Sequence, residues 1–120
     1  MTKTAFGSLL RRLREDARIS LGDLARHLQV STPYLSDVER GNKKPLSGEN
    51  IREAATLLGI DPTALLKAAI ADRHALEIDL SGARPRTIEV GAALMRGFSE
   101  LDDAELDAIS EVLGRRRRDE

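Results

Sequence analysis

The sequence predicts an all-α protein in which five short helices are followed by one short strand and two further helices. Aromatic residues make up only 2% of the chain, so its core must be built from Leu, Ile, Val and Ala. Such a composition favours helix over sheet. Apolar residues also recur at helical spacing, with cap residues before several of these segments and glycine after them. At 120 residues, the chain can hold one compact domain with an appendage, or two very small units.

The first two helices are predicted from apolar stripes at the helical period. The first runs from about Thr4 to Ala17, and its stripe is Phe6, Leu9, Leu10, Leu13 and Ala17. The second begins after Ser20, an N-cap candidate, with Asp23 as a weaker capping-box partner. Its inward face is Leu21, Leu24, Ala25 and Leu28.

The third, fourth and fifth helices have clear start and stop signals. Ser31 and Ser47 are N-cap candidates for the third and fourth, and Gly41 and Gly59 would end them. Asp61 caps the fifth helix, with Pro62 at its first helical position. The inward residues of the three helices are, in order, Leu35 and Val38; Ile51, Ala54, Ala55 and Leu58; and Leu65, Leu66, Ala69 and Ile70.

The pattern changes after the fifth helix. Leu76, Ile78 and Leu80 alternate with polar residues, which predicts one short strand. The segment "GARPR" then reads as a linker. A sixth helix is predicted from the stripe Ile88, Ala92, Met95 and Phe98, and a seventh from Leu106, Ile109 and Leu113.

The seventh helix has a predicted capping box. Asp102 is the cap candidate, Glu105 stands three residues later, and Leu101 and Leu106 are placed to form a hydrophobic staple. Gly114 is expected to end this helix. The predicted organisation is therefore a five-helix domain over residues 1–72, a C-terminal region of one short strand and two helices over 73–114, and a disordered basic tail over 115–120.

The charge distribution is uneven although the net charge is only −1. Residues 1–75 hold 12 Lys and Arg against 9 Asp and Glu, which gives +3. Residues 76–114 hold 3 against 9, or −6, and the last six residues hold 4 against 2, or +2. A mildly basic front half is thus joined to an acidic back half, which is compatible with a nucleic-acid partner for the front half.

Several function classes find no support in the composition. There is no cysteine and there are only two histidines, so neither a disulfide framework nor a metal centre is expected. No nucleophile–base pair or phosphate loop is visible, and we expect neither an enzyme nor a cofactor. No apolar run approaches a membrane span and the N-terminus has no signal-peptide pattern, so we predict a cytoplasmic protein.

The back half is expected to be a dimerisation element. A lone strand needs a partner, and a second copy of the chain is the simplest supplier. Folding of this half onto the first domain is the alternative. The residues predicted to form the dimer contact are Leu76, Ile78, Leu80, Met95, Leu106, Ile109 and Leu113.

The second and third helices together have the layout of a helix-turn-helix. Two eight-residue amphipathic helices are separated by about three residues, and small Ala25 permits a close, steep crossing. The outer face of the third helix would then be free, and a protruding helix fits the major groove of DNA.

Residues 6–66 resemble the Cro/repressor-type (XRE) helix-turn-helix domain, a five-helix, lambda-repressor-like DNA-binding domain of phage repressors and bacterial regulators. The resemblance rests on "LRE", "DLA", "VS", "YLSDVERG" and "LLGIDPTALL" at linked spacings. It covers about half the chain and implies a recognition helix from about Thr32 to Arg40.

The resemblance also implies roles for individual residues. Base edges would be met by Thr32, Pro33, Ser36 and Asp37. The DNA backbone would be met by Ser31, Tyr34, Arg40, Asn42, Lys43 and Lys44. Glu39 matches a family glutamate that forms a structural ion pair with an arginine of the first helix, here Arg14.

Two positions depart from the family pattern. Gln29 stands where the turn usually has a left-handed glycine, and Leu21 stands where many relatives have a phosphate-contacting glutamine. Asp37 has several readings: it can accept from cytosine N4, repel other bases, or be held by Lys43 or Arg40. Arg115 to Arg118 can be a solvated tail, can interact with the helix dipole, or can touch DNA.

These observations predict a dimeric, sequence-specific DNA-binding regulator, most often a repressor in this family, that binds double-stranded DNA at a palindromic operator. The alternative is an antitoxin-type module whose acidic C-terminal half binds a partner protein.

Overall fold

The structure, a computed structural model, describes residues 4–118 and is all-helical within that range. The elements are α1 Ala5–Asp16, α2 Leu21–Leu28, α3 Thr32–Arg40, α4 Gly48–Leu58, α5 Thr63–Arg73, α6 Pro85–Gly97, a short 3₁₀ helix Phe98–Glu100, and α7 Asp103–Arg118. No described helix has both the length and the apolar character that crossing a bilayer requires.

The predicted strand from Leu76 to Leu80 is wrong. These residues form neither strand nor helix, and no strand occurs anywhere from residue 4 to residue 118. A strand is stable only when its backbone groups pair with a neighbour. The alternating pattern was present, but the described part of the chain supplies no second strand.

Serine caps begin three of the first four helices. The Oγ of Ser20 accepts from the N–H of Asp23 at 3.0 Å, that of Ser31 from Tyr34 at 3.1 Å, and that of Ser47 from Asn50 at 3.2 Å. Each such bond satisfies a backbone donor that the helix leaves free, and its loss costs about 1 kcal/mol.

The fifth helix starts one residue later than predicted. Pro62 precedes α5 instead of opening it, and Asp61 Oδ1 accepts from the N–H of Thr63 at 2.7 Å. The aspartate therefore still supports the first turn. Ile70, expected to face inward, is 42% exposed.

The core lies among α1 to α5. Its buried side chains come from all five helices and from the loop after α3, and they are Phe6, Leu10, Leu24, Ala25, Leu28, Leu35, Val38, Leu46, Ile51, Ala54, Leu58, Leu65 and Ala69. α1 packs on α3 and α5, and α2 packs on α3 and α4. The core therefore contacts α3 along one face, through Leu35 and Val38.

Gly7 is the point of closest approach between α1 and α3. A Cβ built at this position would lie 2.5 Å from the carbonyl oxygen of Glu39 and 2.7 Å from that of Val38. Because both atoms belong to backbone, only glycine lets α1 approach the end of α3 this closely.

The chain divides into two compact units, the first ending at Asp79 and the second beginning at Leu80. Within the second unit the predicted capping box is present: Glu105 N–H donates to Asp102 Oδ1 at 2.8 Å, and Asp102 N–H donates to Glu105 Oε1 at 3.1 Å. None of the residues from 80 to 115 is buried.

The predicted end of the seventh helix at Gly114 is wrong. α7 continues to Arg118, so residues 115–118 of the expected basic tail are helical, while residues 119–120 lie outside the described range. Gly114 lacks the positive φ that stops α3 at Gly41 and α4 at Gly59. Arginine is a good helix former and its charge suits a helix C-terminus, so the helix has reason to continue.

Candidate nucleic-acid interface

α2 and α3 form a tight helix–turn–helix unit. α2 ends at Leu28, three residues follow, and α3 begins at Thr32. Leu24, Ala25 and Leu28 of α2 share one core cluster with Leu35 and Val38 of α3. The two helices are therefore fixed to each other by apolar packing.

The turn between these helices depends on a left-handed residue. Gln29 has φ 59° and ψ 42°, as the family pattern implies for this position. Its N–H donates to Arg26 O at 3.2 Å and the Val30 N–H donates to Ala25 O at 3.0 Å, which closes the last turn of α2. A residue with a Cβ pays about 1–2 kcal/mol for this conformation.

The faces of α3 differ sharply in exposure. Leu35, Val38 and Glu39 are buried. Of the side chains expected to meet bases, Thr32 and Pro33 are exposed, whereas Ser36 and Asp37 are half-buried. All four thus keep some access to solvent on the side away from the core.

The first turn of α3 has few free backbone donors. Ser31 Oγ uses the N–H of Tyr34, and Pro33 has no N–H. Within residues 4–118, the N–H groups of Ser31 and Thr32 donate to no acceptor, so they are open to an outside one such as a phosphate oxygen. Tyr34 is half-buried and its ring packs partly against the core.

Asp37 is held by Arg40 in this structure. Arg40 Nη2 lies 2.5 Å from Asp37 Oδ1, one turn along the same helix. The sequence allowed Asp37 to pair with either Lys43 or Arg40, and the structure has the pairing with Arg40. The outer face of α3 therefore presents an ion pair whose opposite charges offset each other. The side chain of Asp37 is 31% exposed and that of Arg40 is 53% exposed.

Glu39 and Arg14 form a two-pronged ion pair behind α3. Arg14 Nε donates to Glu39 Oε2 at 2.7 Å, and its Nη2 donates to Oε1 at 2.9 Å. Arg14 Nη1 also donates to the carbonyl of Ile19 at 3.0 Å. The structure therefore brings together the two residues that the resemblance paired, and it joins α1, the α1–α2 loop and α3.

Burial makes this ion pair a structural one. The side chains of Arg14 and Glu39 are only 12% and 5% exposed. The pKa of Arg14 is raised above its ordinary value, first by the hydrogen bond with Glu39 and further by its charge, against an opposing effect of burial. Glu39 therefore points into the domain and is not available to DNA.

A basic turn follows α3. Gly41 is left-handed with φ 83°, and the N–H of Asn42 donates to Asp37 O at 2.8 Å, which ends the helix cleanly. The side chains of Asn42, Lys43 and Lys44 are all exposed. Within residues 4–118, neither lysine is in an ion pair.

Three residues that support this surface were missed from the sequence. Gly7 sets the approach of α1 to α3, Asp72 Oδ2 accepts from the N–H of Phe6 at 2.8 Å, and Arg73 donates to the carbonyl of Pro45. A glycine inside a helical stripe was a readable signal of close approach. The contacts of Asp72 and Arg73 span distant parts of the chain and leave no local pattern.

The residues predicted to form a dimer contact keep much of their surface free. Ile109 is half-buried, and the others are exposed by these fractions: Leu76 52%, Ile78 64%, Leu80 40%, Met95 90%, Leu106 39% and Leu113 61%. The second unit has four more large exposed apolar residues. Ile88 and Phe98 belong to the predicted stripe of the sixth helix, whereas Val90 and Val112 were not singled out from the sequence.

A family model described as a helix-turn-helix domain matches residues 5–69. The chain belongs to the helix-turn-helix family. This confirms the resemblance to Cro/repressor-type regulators. The matched residues cover α1 to α4 and most of α5, the same helices that hold the α2–α3 unit and its basic turn.

Two helix-turn-helix relatives show how far the similarity extends. The uncharacterized HTH-type transcriptional regulator Mb0023 of Mycobacterium bovis is 34% identical over 126 residues, which cover 96% of this chain and 49% of that protein. The HTH-type transcriptional regulator DdrOP3 of Deinococcus deserti is 43% identical over 58 residues, covering 48% of this chain and 44% of that protein. The chain thus spans about half the length of the curated relatives it matches.

Among solved structures, the clp gene regulator ClgR from Corynebacterium glutamicum is similar to this chain. The two are 37% identical, the match covers 61% of this chain and 92% of that one, and the TM-score is 0.48.

Proposed function

We propose that this chain is a sequence-specific DNA-binding transcriptional regulator that acts as a dimeric repressor, including at its own promoter. The observation that carries the proposal is the two-sided character of α3. Its inner face is locked by Leu35, Val38 and the Arg14–Glu39 ion pair, while its outer face is polar and accessible. A helix held in this way can enter a major groove without a change in its backbone.

In this proposal the base contacts come from the first two turns of α3. The hydroxyl groups of Thr32 and Ser36 hydrogen-bond base edges, and the Thr32 methyl and the Pro33 ring pack on thymine methyl groups. Asp37 accepts from cytosine N4. For this it must share or release Arg40, which then becomes free to pair with a phosphate.

The DNA backbone is held at both ends of α3. Ser31 and Tyr34 lie at its start, and Arg40, Asn42, Lys43 and Lys44 lie at or beyond its end. These groups neutralise or hydrogen-bond phosphates without reading sequence. Because several of the contacts are ionic, affinity should fall steeply as salt concentration rises.

The dimer is proposed to form through the C-terminal region. The exposed apolar side chains named above would lose contact with water on association, and the most exposed of them is Met95. Two protomers would place their α3 helices in successive major grooves about 34 Å apart, on a palindromic operator. Residues 1–72 would then bind DNA and residues 73–114 would associate, all in the cytoplasm, where bacterial DNA lies.

Selection from a random pool of DNA duplexes tests the base contacts. The parent chain should enrich a palindrome, and the Thr32→Ala, Ser36→Ala double variant should enrich none while remaining folded. Thr56→Ala is a matched control, since the Thr56 hydroxyl bonds Arg52 O on α4 and should leave the enriched sequence unchanged. Identical enrichment by parent and double variant would contradict the proposal.

Light scattering tests the dimer. The full chain should have the mass of two protomers, and Met95→Glu should shift it to one protomer because a buried carboxylate at the interface is costly. Ala93→Glu, also at an exposed position of α6, controls for the added charge. A parent chain with the mass of one protomer would remove the self-association claim.

A second candidate function is favoured by the same exposed apolar residues in an acidic half. In that case the C-terminal region binds a different protein, as an antitoxin-type module does. The two candidates differ in the partner-free state: the repressor proposal requires a dimer of the chain alone, whereas the module would be monomeric until its partner is added.

A further inference from the structure

Arg73, the last residue of α5, reaches across the first unit to the basic turn. Its Nη2 donates to the carbonyl oxygen of Pro45, 28 residues away in sequence, and its Nη1 lies 3.3 Å from Glu77 Oε2. Its side chain is only 13% exposed, although arginine is seldom buried. Its Nε is buried and has no hydrogen-bond partner.

An unpartnered buried donor is unfavourable, so the Nε group does not account for the position of this guanidinium. The two contacts of its far end define its placement. One of these contacts is to backbone in the segment that follows the two lysines.

The segment after α3 has little else to hold it. Asn42 N–H bonds Asp37 O, and Leu46 is 1% exposed in the core, so both ends are anchored. Between them, residues 43–45 take part in no backbone–backbone hydrogen bond within the described chain. Within residues 4–118, the hydrogen bond from Arg73 to the Pro45 carbonyl, called the clamp below, is therefore the polar contact that holds the backbone directly after Lys43 and Lys44.

The side chains around the clamp form one open cleft of about 510 Å³. Its lining includes Asn42, Lys43, Lys44, Pro45 and Arg73, together with the carboxylates of Asp72 and Glu77. Loss of the clamp would let the turn move into this space. The two lysines would then also have carboxylates within reach.

We infer that Arg73 is a positioning residue for DNA binding: by holding the Pro45 carbonyl it keeps Lys43 and Lys44 directed at the phosphates. This inference rests on the proposed backbone contacts of that turn. Arg73 itself is not assigned a contact with DNA, since its guanidinium is committed to Pro45 and Glu77.

Fluorescence anisotropy with a labelled mixed-sequence duplex of about 30 base pairs is a suitable probe, because phosphate contacts are independent of sequence. The full-length variants are Arg73→Met, Lys43→Gln with Lys44→Gln, and all three together. Arg86→Met is the matched control, as it also removes one arginine from an arginine–glutamate pair, Arg86–Glu89 at 3.2 Å, in the second unit.

The double lysine variant should weaken binding by about ten-fold or more at 0.1 M salt and reduce the slope of log affinity against log salt by about 1.8. Arg73→Met should produce most of the same loss and a smaller slope, and adding it to the lysine variant should change affinity by less than about two-fold. Arg86→Met should stay within about two-fold of the parent.

The outcomes separate the inference from the proposed function. If the lysine variant binds like the parent, the proposed backbone contacts are wrong. If the lysine variant loses affinity but Arg73→Met does not, or if the two losses multiply in the triple variant, the positioning role of Arg73 is wrong.

Two further variants test the positioning role if Arg73→Met does not fold. Arg73→Lys keeps a charge and a donor for Pro45 and should recover part of the lost affinity. Glu77→Gln leaves the Pro45 contact intact and should bind within about two-fold of the parent. A loss through Glu77→Gln as large as that of Arg73→Met would assign the effect to the ion pair and overturn the clamp.

Discussion

The ion pair between Arg14 and Glu39 gives the sharpest stability prediction. Both side chains are nearly excluded from water, at 12% and 5% exposure, and three hydrogen bonds satisfy the guanidinium. Removing one partner leaves the other charge buried and unpaired, which costs about 3–5 kcal/mol. We therefore expect Arg14→Met and Glu39→Leu each to lower the free energy of unfolding by about 3 kcal/mol or more.

The double variant is the informative one. When both partners become apolar, no charge is left buried, so the pair of changes should cost less than either single change. The coupling energy from the four proteins should be about 3 kcal/mol or larger. Urea unfolding followed by far-UV circular dichroism measures all four free energies.

A pair on the same helix serves as control. Arg11 and Glu15 lie 3.4 Å apart with side chains 54% and 57% exposed, so Arg11→Met and Glu15→Leu should each change stability by less than about 1 kcal/mol. Single losses at Arg14 and Glu39 as small as those of the control, or losses that simply add, would refute the claim that this pair fixes α3.

The stabilisation should not vary with pH near neutrality. The pKa of Arg14 is raised in the folded state, so its contribution is complete below the unfolded-state pKa, far above neutrality, and is lost only as pH rises through the still higher folded-state pKa. The difference in stability between the parent and Arg14→Met should therefore be the same at pH 6 and pH 9. A difference that changed between these values would point to another titrating group.

Two other changes test the backbone geometry around α3. Gly7→Ala would place a Cβ 2.5 Å from the Glu39 carbonyl oxygen and should lower the free energy of unfolding in urea by about 2 kcal/mol or more. Ser8→Ala, at the exposed neighbouring position, should lower it little. Equal stability of the two variants would contradict the close approach. Gln29→Gly should raise stability by up to about 1 kcal/mol because it removes the Cβ from a residue with left-handed backbone. Gly59→Gln, at φ 72°, should lower stability by a similar amount. A change of the same sign in both variants would contradict the role given to these φ angles.

The features predicted correctly from sequence are short-range ones. The serine caps at Ser20, Ser31 and Ser47 and the stops at Gly41 and Gly59 depend on residues within one turn of each other. The left-handed Gln29 and the partnership of Arg14 with Glu39 came from the family pattern. Both the local cap and stop signals and the family pattern are visible in the amino-acid sequence.

The errors concern interactions that a local pattern does not determine. Alternation at Leu76 and Ile78 predicted a strand, but pairing needs a second strand from elsewhere. Gly114 predicted the end of a helix, but its backbone is not left-handed as it is at Gly41 and Gly59, and the helix continues. The contact of Arg73 with the Pro45 carbonyl carries no sequence signature, since any residue can supply a carbonyl oxygen.

The central claim is that α3 reads bases in the major groove, and methylation protection tests it most directly. On the duplex enriched from the random pool, bound protein should protect guanine N7, which faces the major groove, in two half-sites one helical turn apart. The Thr32→Ala, Ser36→Ala variant should lose that protection. Protection confined to adenine N3 in the minor groove, or no protection by the bound parent, would contradict the account.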